Sequence, residues 1–312
     1  MKAIILKTSG GVENFALANI PTPEIKSNEV LIKVKAIGIN PADARVRNEM
    51  KKAYFENATI ILGWDASGEI VEIGSDVQDF KVGDEVFGLI GLPGVGRTYA
   101  EYVAAPASQI AVKPKNISHE QAAVSTMAAL TALQAIRKLG IKQGDRVLIT
   151  AAGGGVGHFG VQFAKLYGAY VIALASTDKR DFVIGLGADE FIDYKKQRFE
   201  DVVKDVDYVL DAVKQDDHIL RSLEVLKKGG TLVSLWSELP KEQMEKAKEL
   251  GVHAVYNVVQ ASGDDMKFVA GLLEEEKIIP HVSKTFVFED MAQAHLEIEK
   301  GHTQGKIVVQ IK

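Results

Sequence analysis

The residues whose type and spacing speak most directly of chemistry are glycines. Thr150-Ala151-Ala152-Gly153-Gly154-Gly155-Val156-Gly157-His158-Phe159-Gly160 contains Gly155-x-Gly157-x-x-Gly160 and, offset, Ala151-x-x-Gly154-x-x-Gly157. Residues without side chains here permit a tight turn and let backbone N–H groups reach a pyrophosphate, whose charge suits the positive end of a following helix. A loop that merely needs positive φ could carry the same glycines. The context decides: an apolar strand at 146–150 precedes the cluster, a helix at 159–167 follows it, and a second strand comes at 170–174. Gly153, Gly154, Gly155, Val156 and Gly157 are therefore candidate dinucleotide-binding residues. At the end of the second strand, where an acid would bond the free ribose hydroxyl of NAD, the chain reads Ala175-Ser176-Thr177. With Ser176 in that place and Lys179 and Arg180 close behind, the segment fits the extra phosphate of NADPH. Asp178 in the same turn opposes this reading, and a solvated helix start would use the same charges.

Composition removes other chemistries. The chain has no cysteine, so disulfides, thiolate metal sites and cysteine nucleophiles are excluded, and a reducing cytoplasm is compatible. Its seven histidines show no ligand spacing, and His158 in the glycine turn is the one to follow. Net charge is −5, from 37 Lys+Arg against 42 Asp+Glu, so no broad basic field favours nucleic acid or an anionic membrane. A small-molecule partner is expected. The first apolar run, Met1 to Lys7, is too short for a signal-peptide core or a bilayer span and reads as a strand.

The positioning elements follow from length and pattern. A chain of 312 residues suits two lobes around a shared cleft. Up to about residue 113, short apolar runs such as 30–34 and 69–74 are broken by Gly, Pro and Asp, a β-rich rhythm. Residues 120–139 are alanine-rich and helical; Ser118 precedes them, with Glu120 one place short of the capping-box position. Beyond the glycine cluster, strands at 208–210 and 230–235 with helical spacing at 220–226 point to a parallel sheet covered on both faces. The apolar run 252–259 reads as its edge strand. Strands at 284–288 and 306–311 flank an amphipathic helix at 289–299, and this tail is expected to return to the first lobe.

Taken together, these residues resemble the medium-chain dehydrogenase/reductase superfamily, and within it the zinc-free quinone oxidoreductases. The resemblance is carried by Gly38-Ile39-Asn40-Pro41-Ala42-Asp43, Gly63-Trp64-Asp65-Ala66-Ser67-Gly68, Lys81-Val82-Gly83-Asp84-Glu85-Val86, Tyr99-Ala100-Glu101-Tyr102-Val103, the glycine cluster, Leu186-Gly187-Ala188-Asp189 and Gly305-Lys306-Ile307-Val308. It implies an α/β chain in which a Rossmann dinucleotide-binding domain, 116–274, is inserted in a GroES-like β-rich catalytic domain, 1–115 plus 275–312. The zinc ligands of the superfamily's alcohol dehydrogenases fall on Asn40, Trp64 and Met127. An amide, an indole and a thioether do not make a zinc site, so no metal is expected.

The resemblance further implies hydride transfer from NADPH to a quinone, since charge developing on a conjugated acceptor spreads through its π-system and needs only a few donors. An enal or enone double-bond reductase, or a non-catalytic NADPH-binding redox sensor, would fit the same residues. By the same resemblance Asn40 and Thr131 lie beside the nicotinamide, Tyr194 and Lys306 approach the adenosine phosphate, and Ser234 belongs to the cofactor site. Tyr54 and Trp64 would wall the acceptor pocket, and Asp65 would be structural. A cytoplasmic homodimer, paired through the nucleotide domain, is expected.

Overall fold

The computed structural model describes residues 1–50, 59–213 and 216–312. Contacts divide it into two compact units. The first comprises Met1–Leu130, Gln260–Glu276 and Pro280–Lys312, the second Thr131–Val259 with Lys277–Ile279.

The first unit is built on strands β1 (Lys2–Leu6), β2 (Phe15–Asn19), β3 (Glu29–Ile39), β4 (Ile60–Ile61), β5 (Asp65–Ile73), β6 (Glu85–Leu89), β7 (Tyr102–Pro106) and β8 (Ile110–Val112), with helix α1 (Pro41–Glu49) after β3. Strand β3 is its spine. Its eleven residues pair antiparallel with β5 and β7, and bulges between Leu31 and Ile32 and between Val34 and Ala36 let it bend from one partner to the next. Its apolar residues Val30, Ile32, Val34, Ile37 and Ile39 are buried in the unit's core. The strand ends at Asn40, and Pro41 opens α1 with its φ already set for a helix.

The alanine-rich segment expected as one helix is two, α2 (His119–Val124) and α3 (Met127–Leu139). Ser125 and Thr126 break it: their hydroxyls bond back to Gln121 O (2.7 Å) and Ala123 O (2.8 Å). The expectation of an imperfect cap also needs correction. Gln121, not Glu120, is the partner of Ser118, and both capping-box bonds form: Gln121 N to Ser118 Oγ (3.2 Å) and Ser118 N to Gln121 Oε1 (3.0 Å).

The second unit continues with β9 (Arg146–Ile149), α4 (Gly157–Leu166), β10 (Tyr170–Ala175), α5 (Arg180–Gly185), β11 (Glu190–Asp193), α6 (Phe199–Val202), β12 (Val206–Asp211), α7 (Asp216–Glu224), β13 (Leu226–Ser234), α8 (Lys241–Leu250) and β14 (His253–Tyr256). Their sheet is parallel throughout, in the order β11-β10-β9-β12-β13-β14. Counted from β9, this is the 3-2-1-4-5-6 order of a dinucleotide-binding fold, with its switch point between β9 and β12. Val147, Leu148, Val209, Leu210, Leu232 and Val233 are fully buried, as strands covered on both faces must be. β14 stands at the sheet edge, as its apolar run suggested.

The chain then returns to the first unit through α9 (Gly263–Glu274), β15 (Val282–Val287), α10 (Met291–Glu299) and β16 (Lys306–Gln310). β16 pairs antiparallel with the end of β3, setting Ile307 opposite Ile39. The division differs from the expected boundaries at both ends. α2 packs on β3 and β5, and α9 packs so closely on the 107–110 segment that a Cβ at Gly263 would lie 2.7 Å from Ser108 O. Asn116 Nδ2 also caps α9 at Leu273 O (3.0 Å). Both helices thus belong with the β-rich unit.

Candidate functional site

In the second unit the glycine turn sits at the carboxyl end of β9, beside the switch point. Ala151 takes a left-handed φ of 48°, and Gly154 N closes a turn on Ala151 O (2.8 Å). α4 starts directly over this turn: a Cβ on Gly157 would lie 2.2 Å from Ala151 O, so only glycine fits. Among the described residues, no acceptor pairs with the backbone N–H groups of Gly155 and Val156. Unsatisfied N–H groups at the positive end of a ten-residue helix make an anion cradle. His158 is buried in it and structural: its Nδ1 donates to Gly154 O (3.0 Å), which can only accept.

The next strand, β10, ends at Ala175, with Ser176 buried beyond it. An acid does stand nearby, Asp193 at the end of β11, which pairs with Ala175. It is already occupied: Thr177 donates to one oxygen and Lys195 N to the other (2.9 Å), and the Thr177 bond, followed by Lys195 N, holds its carboxyl below the usual range. Asp178 is likewise lowered, first by a hydrogen bond from Ser176. The stem of Lys179 lies across the turn, where a Cβ on Gly153 would be 2.7 Å from its Cδ. Burial holds the Lys179 ammonium below its ordinary value; Asp178 opposes this and the neighbouring Lys195 adds to it. Two cations near an anion cradle suit a further phosphate. Lys195 was not singled out from the sequence; its signal was the Tyr194-Lys195-Lys196 run after β11. Arg180 is exposed and paired with Asp181 (3.2 Å). Tyr194 is 51% exposed, and Ser234, at the end of β13, is buried with its hydroxyl on Ser237 O (3.1 Å). Thr131 is buried in α3.

In the first unit, Asn40 closes β3 and caps α1. Its backbone N–H donates to Asp43 Oδ2 (2.7 Å), and its side-chain Nδ2 donates to Asp65 Oδ2 (2.8 Å). The ammonium of Lys306 donates to Asn40 Oδ1 and to Ile39 O (2.9 Å), and stands 3.6 Å from Asp65 Oδ2. Asp65 Oδ1 accepts from Met127 N (3.1 Å), the first residue of α3. Gly38 makes the approach possible, since a Cβ there would lie 2.8 Å from Asp65 Oδ2 and 2.6 Å from Ala123 O.

Asp43 and Asp65 are wholly buried with one lysine between them. Burial raises both carboxyls, but Lys306, Asn40, Thr126 and Met127 N pull Asp65 back. Asp43 has less help. Among the described residues its buried Oδ1 has no partner at hydrogen-bond distance, with the Tyr99 hydroxyl as a polar neighbour, and burial followed by the Asp65 charge raises it to about 7. The shared proton therefore rests on Asp43. Tyr99 leads further into the unit: its hydroxyl meets His295 Nε2 (2.9 Å), and Arg47 donates to His295 Nδ1 (3.2 Å). Arg47 can only donate, so Nε2 bears the hydrogen. Burial, then Arg47, holds His295 neutral, down to about 3. Arg47 is itself buried, on Gly10 O (2.9 Å) and Glu299 (2.7 Å). Asp43 and Tyr99 lay inside recognised motifs, but nothing in the sequence joined them to His295.

Two expectations change. Lys306 does not extend toward an adenosine phosphate, because its ammonium is buried and its donors are directed at Ile39, Asn40 and Asp65. Asp65, expected to be structural, holds the Asn40 amide and the first residue of α3. Trp64 is buried, its indole N–H donated to Gly94 O (2.7 Å), and Tyr54 lies outside the described residues. Among the described residues no group of three or more His, Asp or Glu could hold a metal ion.

Comparison with known proteins places this geometry. A family model described as "Alcohol dehydrogenase GroES-like domain" matches residues 26–115, and one described as "Zinc-binding dehydrogenase" matches residues 186–309. Neither stretch includes Met127, and the second includes neither Asn40 nor Trp64. The chain is 36% identical over 319 residues to a chloroplastic NADPH-dependent alkenal/one oxidoreductase of Arabidopsis thaliana, covering 99% of this chain and 79% of the relative. Among solved structures, the quinone oxidoreductase of Coxiella burnetii superposes with a TM-score of 0.93 at 37% identity, covering 100% of this chain and 99% of that one. The Escherichia coli quinone oxidoreductase complexed with NADPH superposes with a TM-score of 0.89 at 26% identity, covering both chains fully. The chain belongs to the medium-chain dehydrogenase/reductase family, in its zinc-free, quinone oxidoreductase-like branch. Its fold is the GroES-like and Rossmann pair, and its class is that of the NAD(P)H-dependent oxidoreductases.

Proposed function

We propose that this chain reduces a conjugated carbonyl acceptor, a quinone, at the expense of NADPH. The observation that carries the reading is the anion cradle at the carboxyl end of β9, with Lys179 and Lys195 beside it and both nearby acids already hydrogen-bonded. The backbone N–H groups of Gly155 and Val156 hold the diphosphate, and Lys179 takes the 2′-phosphate. When bound, NADPH supplies the hydride. Asn40 donates from its amide to the acceptor oxygen on which negative charge gathers, and a solvent proton completes the hydroquinone. Ligand chemistry at Asn40, Trp64 and Met127 is an amide, an indole and a thioether, which favours an acceptor that disperses charge without a Lewis acid.

A second reading has one observation in its favour, the 36% identity to an alkenal/one oxidoreductase. There the hydride goes to the β-carbon of an enal or enone, and Asn40 serves the carbonyl oxygen in the same way. NADPH oxidation with a panel of quinones, enals and enones tests both. Turnover with quinones and not with enals or enones supports the first, the reverse supports the second, and tight NADPH binding with no turnover leaves a redox-sensing role. A chelator is expected to change none of these rates, and its abolishing turnover overturns the metal-independent reading.

A further inference from the structure

Asn40 is useful to an electron-rich acceptor only if its amide presents nitrogen rather than oxygen. The two ends of an amide are nearly the same shape, and a turn residue of this kind can lie either way round. Here two neighbours discriminate. Lys306 has only donors, and it meets the Oδ1 end; Asp65 has accepting oxygens, and it meets the Nδ2 end at 2.8 Å. Reversing the amide would set N–H against ammonium and carbonyl against carboxylate. One Nδ2 hydrogen is held by Asp65, and among the described residues no second acceptor stands within hydrogen-bond distance, although the Asp43 carboxyl lies near enough for the Asn40 side chain to lower it.

We propose that the buried Lys306–Asp65 pair is a positioning device that locks the Asn40 amide in its donor orientation and, through the ammonium on Oδ1, polarises its remaining N–H toward the acceptor. The proposal rests on the reading of Asn40 as the donor to that acceptor. The pair is costly to bury: both side chains are at most 3% exposed, and such pairs are often replaced by apolar residues with no loss of stability. Their directions are what an apolar replacement could not copy. Lys306 meets Ile39 O, Asn40 Oδ1 and Asp65 at once, which fixes the ammonium, and Met127 N fixes the carboxylate from its other oxygen. Polarisation along such a chain strengthens the terminal donor.

The test is a cycle between Asn40→Ala and the paired neutral variant Asp65→Asn/Lys306→Met, which leaves no lone buried charge. The paired variant is expected to lose about tenfold in kcat while its KM for NADPH stays within about twofold, because asparagine at 65 keeps an oxygen for Met127 N and only the hold on Asn40 is lost. Adding Asn40→Ala to it should then cost little more, since the two act as one unit. Independent, multiplying losses overturn the proposal, as does a paired variant with full turnover beside an impaired Asn40→Ala. If Asn40→Ala alone leaves turnover untouched with every acceptor, the reading of Asn40 fails and takes the proposal with it. A second measurement needs no turnover: in 1H–15N spectra the Asn40 side-chain amide, assigned by its loss in Asn40→Ala, should show one proton protected from exchange. That protection should vanish in the paired variant, and its persistence there sinks the lock.

Discussion

Asp43→Asn isolates the proton shared by the two buried acids. Asp43 is raised from 3.8 to about 7, so its neutral form is favoured in the folded chain. Its contribution is fully present below the unfolded value and is lost as pH rises through the folded one. At 1.36 kcal/mol per unit, the full displacement corresponds to about 4 kcal/mol, of which about 2 to 3 kcal/mol falls between pH 5 and 8. Asparagine copies the protonated acid in shape and can still accept from Asn40 N, but it does not titrate. The variant's stability relative to the parent should therefore climb by about 2 to 3 kcal/mol from pH 5 to pH 8. His295, held down to about 3, works in the opposite sense: its contribution is present above the unfolded value and fades as pH falls toward 3. It titrates alike in both proteins and cancels in the difference. Urea unfolding followed by Trp64 fluorescence in a Trp236→Phe background reads the first unit. Parallel pH profiles for the two proteins would falsify the placement of the proton on Asp43.

Lys179→Ala should weaken NADPH by about tenfold or more and leave NADH nearly unchanged, because only NADPH carries the extra phosphate; equal losses in fluorescence titrations with both cofactors would count against the phosphate role. Gly157→Ala drives a Cβ to 2.2 Å from Ala151 O, so either reduced cofactor should fail to bind while circular dichroism stays near that of the parent; retained affinity means that the turn is not the cradle. Edge strand β14 bears the exposed Val255 and, among the described residues, pairs with β13 alone, an edge that invites a second copy. Light scattering at micromolar protein is expected to give a dimer that Val255→Lys dissociates, and a monomeric parent removes the claim.

Much of this protein is legible in its sequence because local patterns carry it. The glycine cluster could be read as a phosphate turn since strand, turn and helix are consecutive, and the glycine at 157 answers to an atom only six residues away. The absence of metal-ligand chemistry at Asn40, Trp64 and Met127 is likewise a matter of residue type. The β-rich first segment, the returning tail and the edge strand followed from the pattern of the chain, although the first segment runs on to Leu130 and the tail begins at Gln260. Even the missed capping box lay in plain sight at Gln121.

What only the tertiary structure decided are the partners. Lys306 reads as an ordinary basic residue near the end of the chain, and its true neighbours, Ile39, Asn40 and Asp65, are brought to it by antiparallel pairing of β16 with β3. Asp43 meets Tyr99, and Tyr99 meets His295 across 196 positions of sequence. Ser125 and Thr126 break a helix that composition alone would continue, in part because the N–H of Met127 finds the carboxylate of Asp65. Periodicity records which side of an element faces the core, whereas the ionisation of a buried acid depends on every charge within a few ångströms of it, and those charges come from strands and helices whose order along the chain says nothing of their distance.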